Sequence, residues 1–113
     1  MSTKLYIVVR NDIDVGHAIL GACHGVAAFF LRFSEYPDVR EWVALSFRKV
    51  LVHATKEEFD RVKEHLESLN GRIHHVVMTE CALDGQETAI VAGPESRWGD
   101  ELRKLPLWPP QEK

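Results

Sequence analysis

The chain has 113 residues, 45% of them hydrophobic and 27% charged, with a net charge of −3 and a pI near 6.0. That is enough for one core and too little for two, and the acidic balance excludes a protein that holds nucleic acid mainly by its overall field. No apolar run reaches the roughly 20 residues that span a bilayer, and Cys23 and Cys81 alone make no disulfide framework, so a cytoplasmic location without membrane contact is the expectation.

Residues 5 to 9, Leu-Tyr-Ile-Val-Val, are apolar and β-branched and read as a buried strand, followed by the polar turn Asn11, Asp12, Asp14. A helix is predicted from Gly16 to Phe33, with Ala18, Gly21 or Ala22, Gly25 and Ala28 forming a smooth stripe at three- and four-residue spacing. Glycine costs a helix up to about 1 kcal/mol relative to alanine, so Gly21 and Gly25 predict a surface that approaches too closely for a side chain. A second helix spans Pro37 to Leu45, and Lys49 to Ala54 reads as the second strand.

Thr55-Lys-Glu-Glu58 is a capping box, and Phe59, Val62, Leu66 and Leu69 follow at helical spacing until Asn70-Gly71 ends the helix. Strand three is predicted at Arg72 to Met78, which would place His74 and His75 on opposite faces, a poor metal pair; neither a metal site nor a cofactor is predicted. A turn at Asp84-Gly85 leads into strand four, Thr88 to Ala92, closed by a turn at Gly93-Pro94. A short amphipathic helix is expected within Glu95 to Leu105. Residues 105–113 make a proline-rich tail, extended against the body or a partner. The order β-α-α-β-α-β-β-α predicts a single α/β domain over residues 1–113, a four-stranded mixed sheet with helices on both faces.

Taken in order, Val8-Val-Arg-Asn-Asp12-Ile, Gly16 before a small-residue helix, His24, and Gly85-Gln-Glu-Thr88-Ala-Ile-Val-Ala-Gly93-Pro94 resemble the type II peptidyl-tRNA hydrolases over roughly Lys4 to Trp98. The resemblance implies the mixed four-stranded sheet and cleavage of the ester joining a peptide to tRNA. It also implies departures. Aligned on His24, His17 stands where the family has a lysine and Gly21 where it has a glutamine. Glu80 replaces a shorter acidic residue after strand three, Thr88 matches a threonine, and the loop between them is shorter and lacks a Gly-Arg-Thr segment.

Ester hydrolysis needs a base for water, donors for the oxyanion and a cradle for the tRNA end. Asp12, His17, Glu80 and Thr88 are the catalytic candidates, and Arg10, Asn11, Gly16, Gly21 and His24 the substrate-binding candidates. Asp12 and Glu80 would converge if strands one and three run in the same direction. A helix N-terminus disfavours imidazolium, so His17 is expected neutral. Each residue also has a plainer role: Asp12 as turn residue, the histidines as packing, Glu80 as strand end, Thr88 as β-branched filler. Three functions follow: hydrolysis of peptidyl-tRNA or a related aminoacyl ester, with tRNA as partner; a member without the reaction, serving as a binding module or homodimer through the small-residue helix or the Trp108 tail; and hydrolysis of a small amide or ester without RNA.

Overall fold

The computed structural model describes residues 2–110. Along the chain come β1 (Lys4–Arg10), α1 (Val15–Phe33), α2 (Pro37–Leu45), β2 (Arg48–Ala54), α3 (Lys56–Ser68), β3 (His75–Glu80), a single 3₁₀ turn (Cys81–Leu83), β4 (Gln86–Glu95) and α4 (Asp100–Arg103). The sheet order is β2-β1-β4-β3. β1 pairs parallel with β2 and antiparallel with β4, and β4 pairs antiparallel with β3. The sheet is therefore mixed, as the element order predicted. β1 and β3 run in the same direction on either side of β4, so Arg10, Glu80 and Gln86 lie at one end of the sheet.

β1 is an unbroken apolar run because both of its faces are covered. On one side Tyr6 and Val8 pack with Val52, Phe59, Val62, Leu66, Ile90 and Leu102, beneath α3 and α4. On the other, Leu5 and Ile7 meet Phe29, Val39, Trp42 and Val91 beneath α1 and α2. Val9, Ala18 and Ala89 continue that face towards the start of α1.

The buried residues of α1 are Ala18, Gly21, Gly25 and Phe29, and the predicted stripe is its inner face. A Cβ on Gly25 would stand 2.7 Å from Val91 Cγ2. By length and composition α1 could cross a membrane, contrary to the expectation that no segment qualifies; here one side of it lies along β1, β3 and β4. α3 begins with the predicted box: Thr55 Oγ1 accepts from the Glu58 N–H, and the Thr55 N–H donates to Glu58 Oε1 at 2.9 Å. Asn70 and Gly71 close it with positive φ of 52° and 83°.

Among the boundaries that differ from the sequence reading, three move by three residues or more. β3 starts at His75; the His74 carbonyl still accepts from the Gly93 N–H at 2.9 Å, while its ring stacks on Phe33 and bonds Asp38 at 3.2 Å. β4 runs through the supposed Gly93-Pro94 turn as far as Glu95, absorbing one extra residue against β1 between the pairs Tyr6–Ala92 and Lys4–Glu95. Gly93, with φ of 132°, takes a conformation closed to other residues, and a Cβ there would meet Lys4 O at 2.9 Å. The last helix shrinks to Asp100–Arg103, since Glu95 belongs to β4 and Trp98 is buried edge-on against Tyr6.

The tail is extended against the body. The His53 N–H donates to Pro106 O at 3.0 Å, the Trp108 N–H to Leu51 O at 2.9 Å, and Leu107 bridges Val52. This short antiparallel rung covers the outer edge of β2. Residues 111–113 of the predicted tail lie outside the described residues.

Candidate active site

All four catalytic candidates sit at the sheet end where β1 and β3 finish and β4 begins, but they divide between its two faces. On the α3 face, Arg10 points inward from the last position of β1 and is only 6% exposed. Its guanidinium grips Asp12 with two bonds, Nε to Oδ1 at 2.8 Å and Nη2 to Oδ2 at 2.6 Å. Nη1 reaches across to β4, donating to Gln86 Oε1 and to the Glu87 carbonyl, each at 3.2 Å. The bidentate guanidinium holds the Asp12 carboxyl below its ordinary range. A carboxylate held so firmly as an anion is a poor proton acceptor. Asp12 and Arg10 thus act here as a clamp joining the ends of β1 and β4, a partnership between residue 10 and residues 86 and 87 that no local pattern signals.

A groove of about 650 Å³ opens beside this clamp, lined by Lys56, Asp60, Lys63, Gln86 and Glu87 among others. Lys56 pairs with Asp60 at 2.8 Å and Lys63 with both Glu87 oxygens at 3.0 Å, so its cations are matched by its carboxylates. Asn11 turns the other way, bonding His53 at 3.1 Å and, through its N–H, Ala54 O. His53, which the sequence reading passed over, thereby joins the substrate-binding candidate Asn11 to the Trp108 ring, 6.3 Å from its own.

On the α1 face stand His17, Glu80, Thr88 and Gly21. Asp14 caps α1: its Oδ2 accepts from the His17 N–H at 3.1 Å while its Oδ1 meets His17 Nδ1 at 2.5 Å. Gly16 leaves room for that carboxylate, since a Cβ there would come within 3.3 Å of it. The Asp14 hydrogen bond, with a further pull from the Glu80 carboxylate, raises the imidazole above its ordinary value, and Asp14 is lowered in return. The direction is opposite to the one expected from the helix end alone. The helix end carries about half a charge spread over several N–H groups, whereas Asp14 places a whole opposite charge in contact with the ring.

Glu80 ends β3 and accepts from the Ala82 N–H through Oε1 at 3.0 Å. Thr88 is fully buried, for a reason invisible in sequence. Met78 pairs with Ala89 and Thr79 with Glu87, leaving Thr88 as an extra residue in β4. The bulge turns its side chain to the α1 face alongside that of Ala89. There it meets Gly21, where a Cβ would stand only 2.6 Å from Thr88 Oγ1. The close approach predicted for Gly21 is thus to the hydroxyl of a candidate residue. His24 is exposed, with no hydrogen bond among the described residues.

Arg48, Lys49, Arg97, Arg103 and Lys104 do not join Arg10, Lys56 and Lys63 at this end. Arg48 opens β2 and Arg97 follows β4, both at the far end of the sheet, Arg103 and Lys104 pair with Asp100, and Lys49 lies over the Phe47 ring.

No curated protein matches the chain. The family model described as peptidyl-tRNA hydrolase PTH2 does, over residues 3–99, a span that runs from the first strand to Gly99 and takes in Arg10, Asp12, His17, Gly21, Glu80 and Thr88. On that match and the mixed four-stranded sheet it accompanies, the chain belongs to the peptidyl-tRNA hydrolase PTH2 family.

Proposed function

We propose that the protein hydrolyses the ester joining a peptide or aminoacyl group to tRNA, with the working residues on the α1 face of the sheet end. The observation that carries this reading is the gathering of Asp14-held His17, Glu80 and the bulge-turned Thr88 along the first two turns of α1. In this assignment Glu80, whose Oε2 makes no hydrogen bond among the described residues, accepts the proton of the attacking water. The water oxygen adds to the ester carbonyl carbon, and His17 and the Thr88 hydroxyl donate to the developing oxyanion. The bond to the ribose oxygen then breaks, and the proton taken up by Glu80 passes to that leaving oxygen. Asp12, assigned with Arg10 to the clamp, fixes the ends of β1 and β4 behind the site; Asn11, Gly16 and Gly21 shape its edges. The partner implied is tRNA, in the cytoplasm.

The test is release of peptide from a blocked aminoacyl-tRNA by the purified protein at low and high salt. Turnover above buffer is expected, with Glu80→Gln lowering it by about 10²-fold or more while the fold is kept. Turnover equal to buffer overturns the assignment.

One observation favours the second reading, a member that binds without catalysis. The outward side of α1 exposes Val15, Ile19, Leu20 and Leu31, and between Asp14 and Arg32 the sequence has no Asp, Glu, Lys or Arg. An outer helix face without charge suits contact with a second copy. The small-residue stripe cannot serve, since the sheet already covers it. Sedimentation showing a strict monomer at high concentration removes this reading.

A further inference from the structure

The Asp14 side chain satisfies two groups of the same histidine, the backbone N–H and ring Nδ1 of His17. An ionised carboxylate only accepts, so the proton of that short contact belongs to Nδ1, which sets both the ring's orientation and its tautomer. Nε2 makes no hydrogen bond among the described residues, and the His17 side chain is 31% exposed. The ring is anchored on one nitrogen and open on the other.

The charges that bear on it are Asp14, in the turn before α1, and Glu80, at the end of β3; Thr88, from β4, is uncharged. Both charges are negative. A protonated ring is favoured from either side, and the α1 face has no other cation among these residues to meet an oxyanion.

We propose that Asp14 is a positioning residue that holds His17 as the cation of the site, with its Nε2–H presented to the reacting oxygen, and does not orient it as the general base. This rests on the hydrolase reading for its consequence but not for its geometry. The two roles of His17 differ in the sign of their pH dependence. A cationic donor loses activity as pH rises through the His17 midpoint, whereas a base gains it.

The experiment pairs an NMR titration of the His17 ring with the pH profile of peptidyl-tRNA hydrolysis, in the wild type, in Asp14→Asn and in His17→Lys. Asparagine still caps the helix, so Asp14→Asn removes charge while keeping α1; circular dichroism and thermal melting check that. In the wild type, the ring is expected to titrate above the ordinary histidine value, with its neutral form carrying the proton on Nδ1, and hydrolysis to fall over the same interval. Asp14→Asn moves both to lower pH. Lysine, charged to much higher pH, carries hydrolysis past the point where the wild type has lost it. An ordinary ring midpoint, a proton on Nε2, or hydrolysis that rises through the titration overturns the proposal. If no form hydrolyses the ester, the functional reading fails, and the ring titration alone still decides whether Asp14 holds His17 as described.

Discussion

Gly21 and Thr88 show how one missing side chain and one extra residue can meet. The 2.6 Å between a Cβ at Gly21 and the Thr88 hydroxyl is shorter than any ordinary contact, and Thr88 is held by the strand on either side. Gly21→Ala is therefore expected to destabilise the protein by about 1–3 kcal/mol, the usual cost of overpacking a tight core, although alanine is the better helix former. Thermal or denaturant unfolding measures it; an alanine variant as stable as the parent would contradict the contact. At this scale only one side of the contact was legible. The glycine's need for a close neighbour follows from its cost in a helix. Which neighbour it meets depends on a bulge, and a bulge leaves no trace in the alternation of Gln86 to Ala92. Arg10 was equally illegible, as its side chain bonds residues far along the chain and turns Asp12 from a candidate acid into a clamped anion.

Elements were legible where their signals are local. The box at Thr55 and Glu58, the small stripe of α1 and the paired stop at Asn70-Gly71 each appear as read, because a helix end or a helix face is written within a few residues. Thr55→Ala is expected to cost roughly 1 kcal/mol through lost capping, measured by denaturant unfolding, and to leave hydrolysis unchanged, since the start of α3 makes no part of the α1-face cluster. Strand limits were less legible. β4 continues through Gly93-Pro94 because a strand tolerates a proline at a bulge, and β3 begins only at His75, although the His74 carbonyl still accepts from the Gly93 N–H.

At the scale of the molecule, the sheet has two outer strands, β2 and β3, and the tail protects the first. A chain ending at Leu105 would lose the rung formed by Pro106, Leu107 and Trp108 and leave the β2 edge open to another strand. Self-association rising with concentration is the expected outcome by sedimentation velocity; the same monomer content with and without the tail would show that the rung protects nothing. The α/β class could be read from the element order, but not the allotment of work between the two faces. That depends on which way each side chain leaves the sheet end, and there the ordinary parity is broken.

The bulge at Thr88 makes β4 a strand that counts differently on its two sides. Beyond it, Ile90 serves the α3 side and Val91 the α1 side as simple alternation requires; at it, two neighbours in sequence face α1 together. Shortening the strand there by a single residue would restore an even ladder and withdraw the hydroxyl from the helix mouth, so this end of the sheet keeps an irregular hydrogen-bonding pattern to hold one oxygen atom in place.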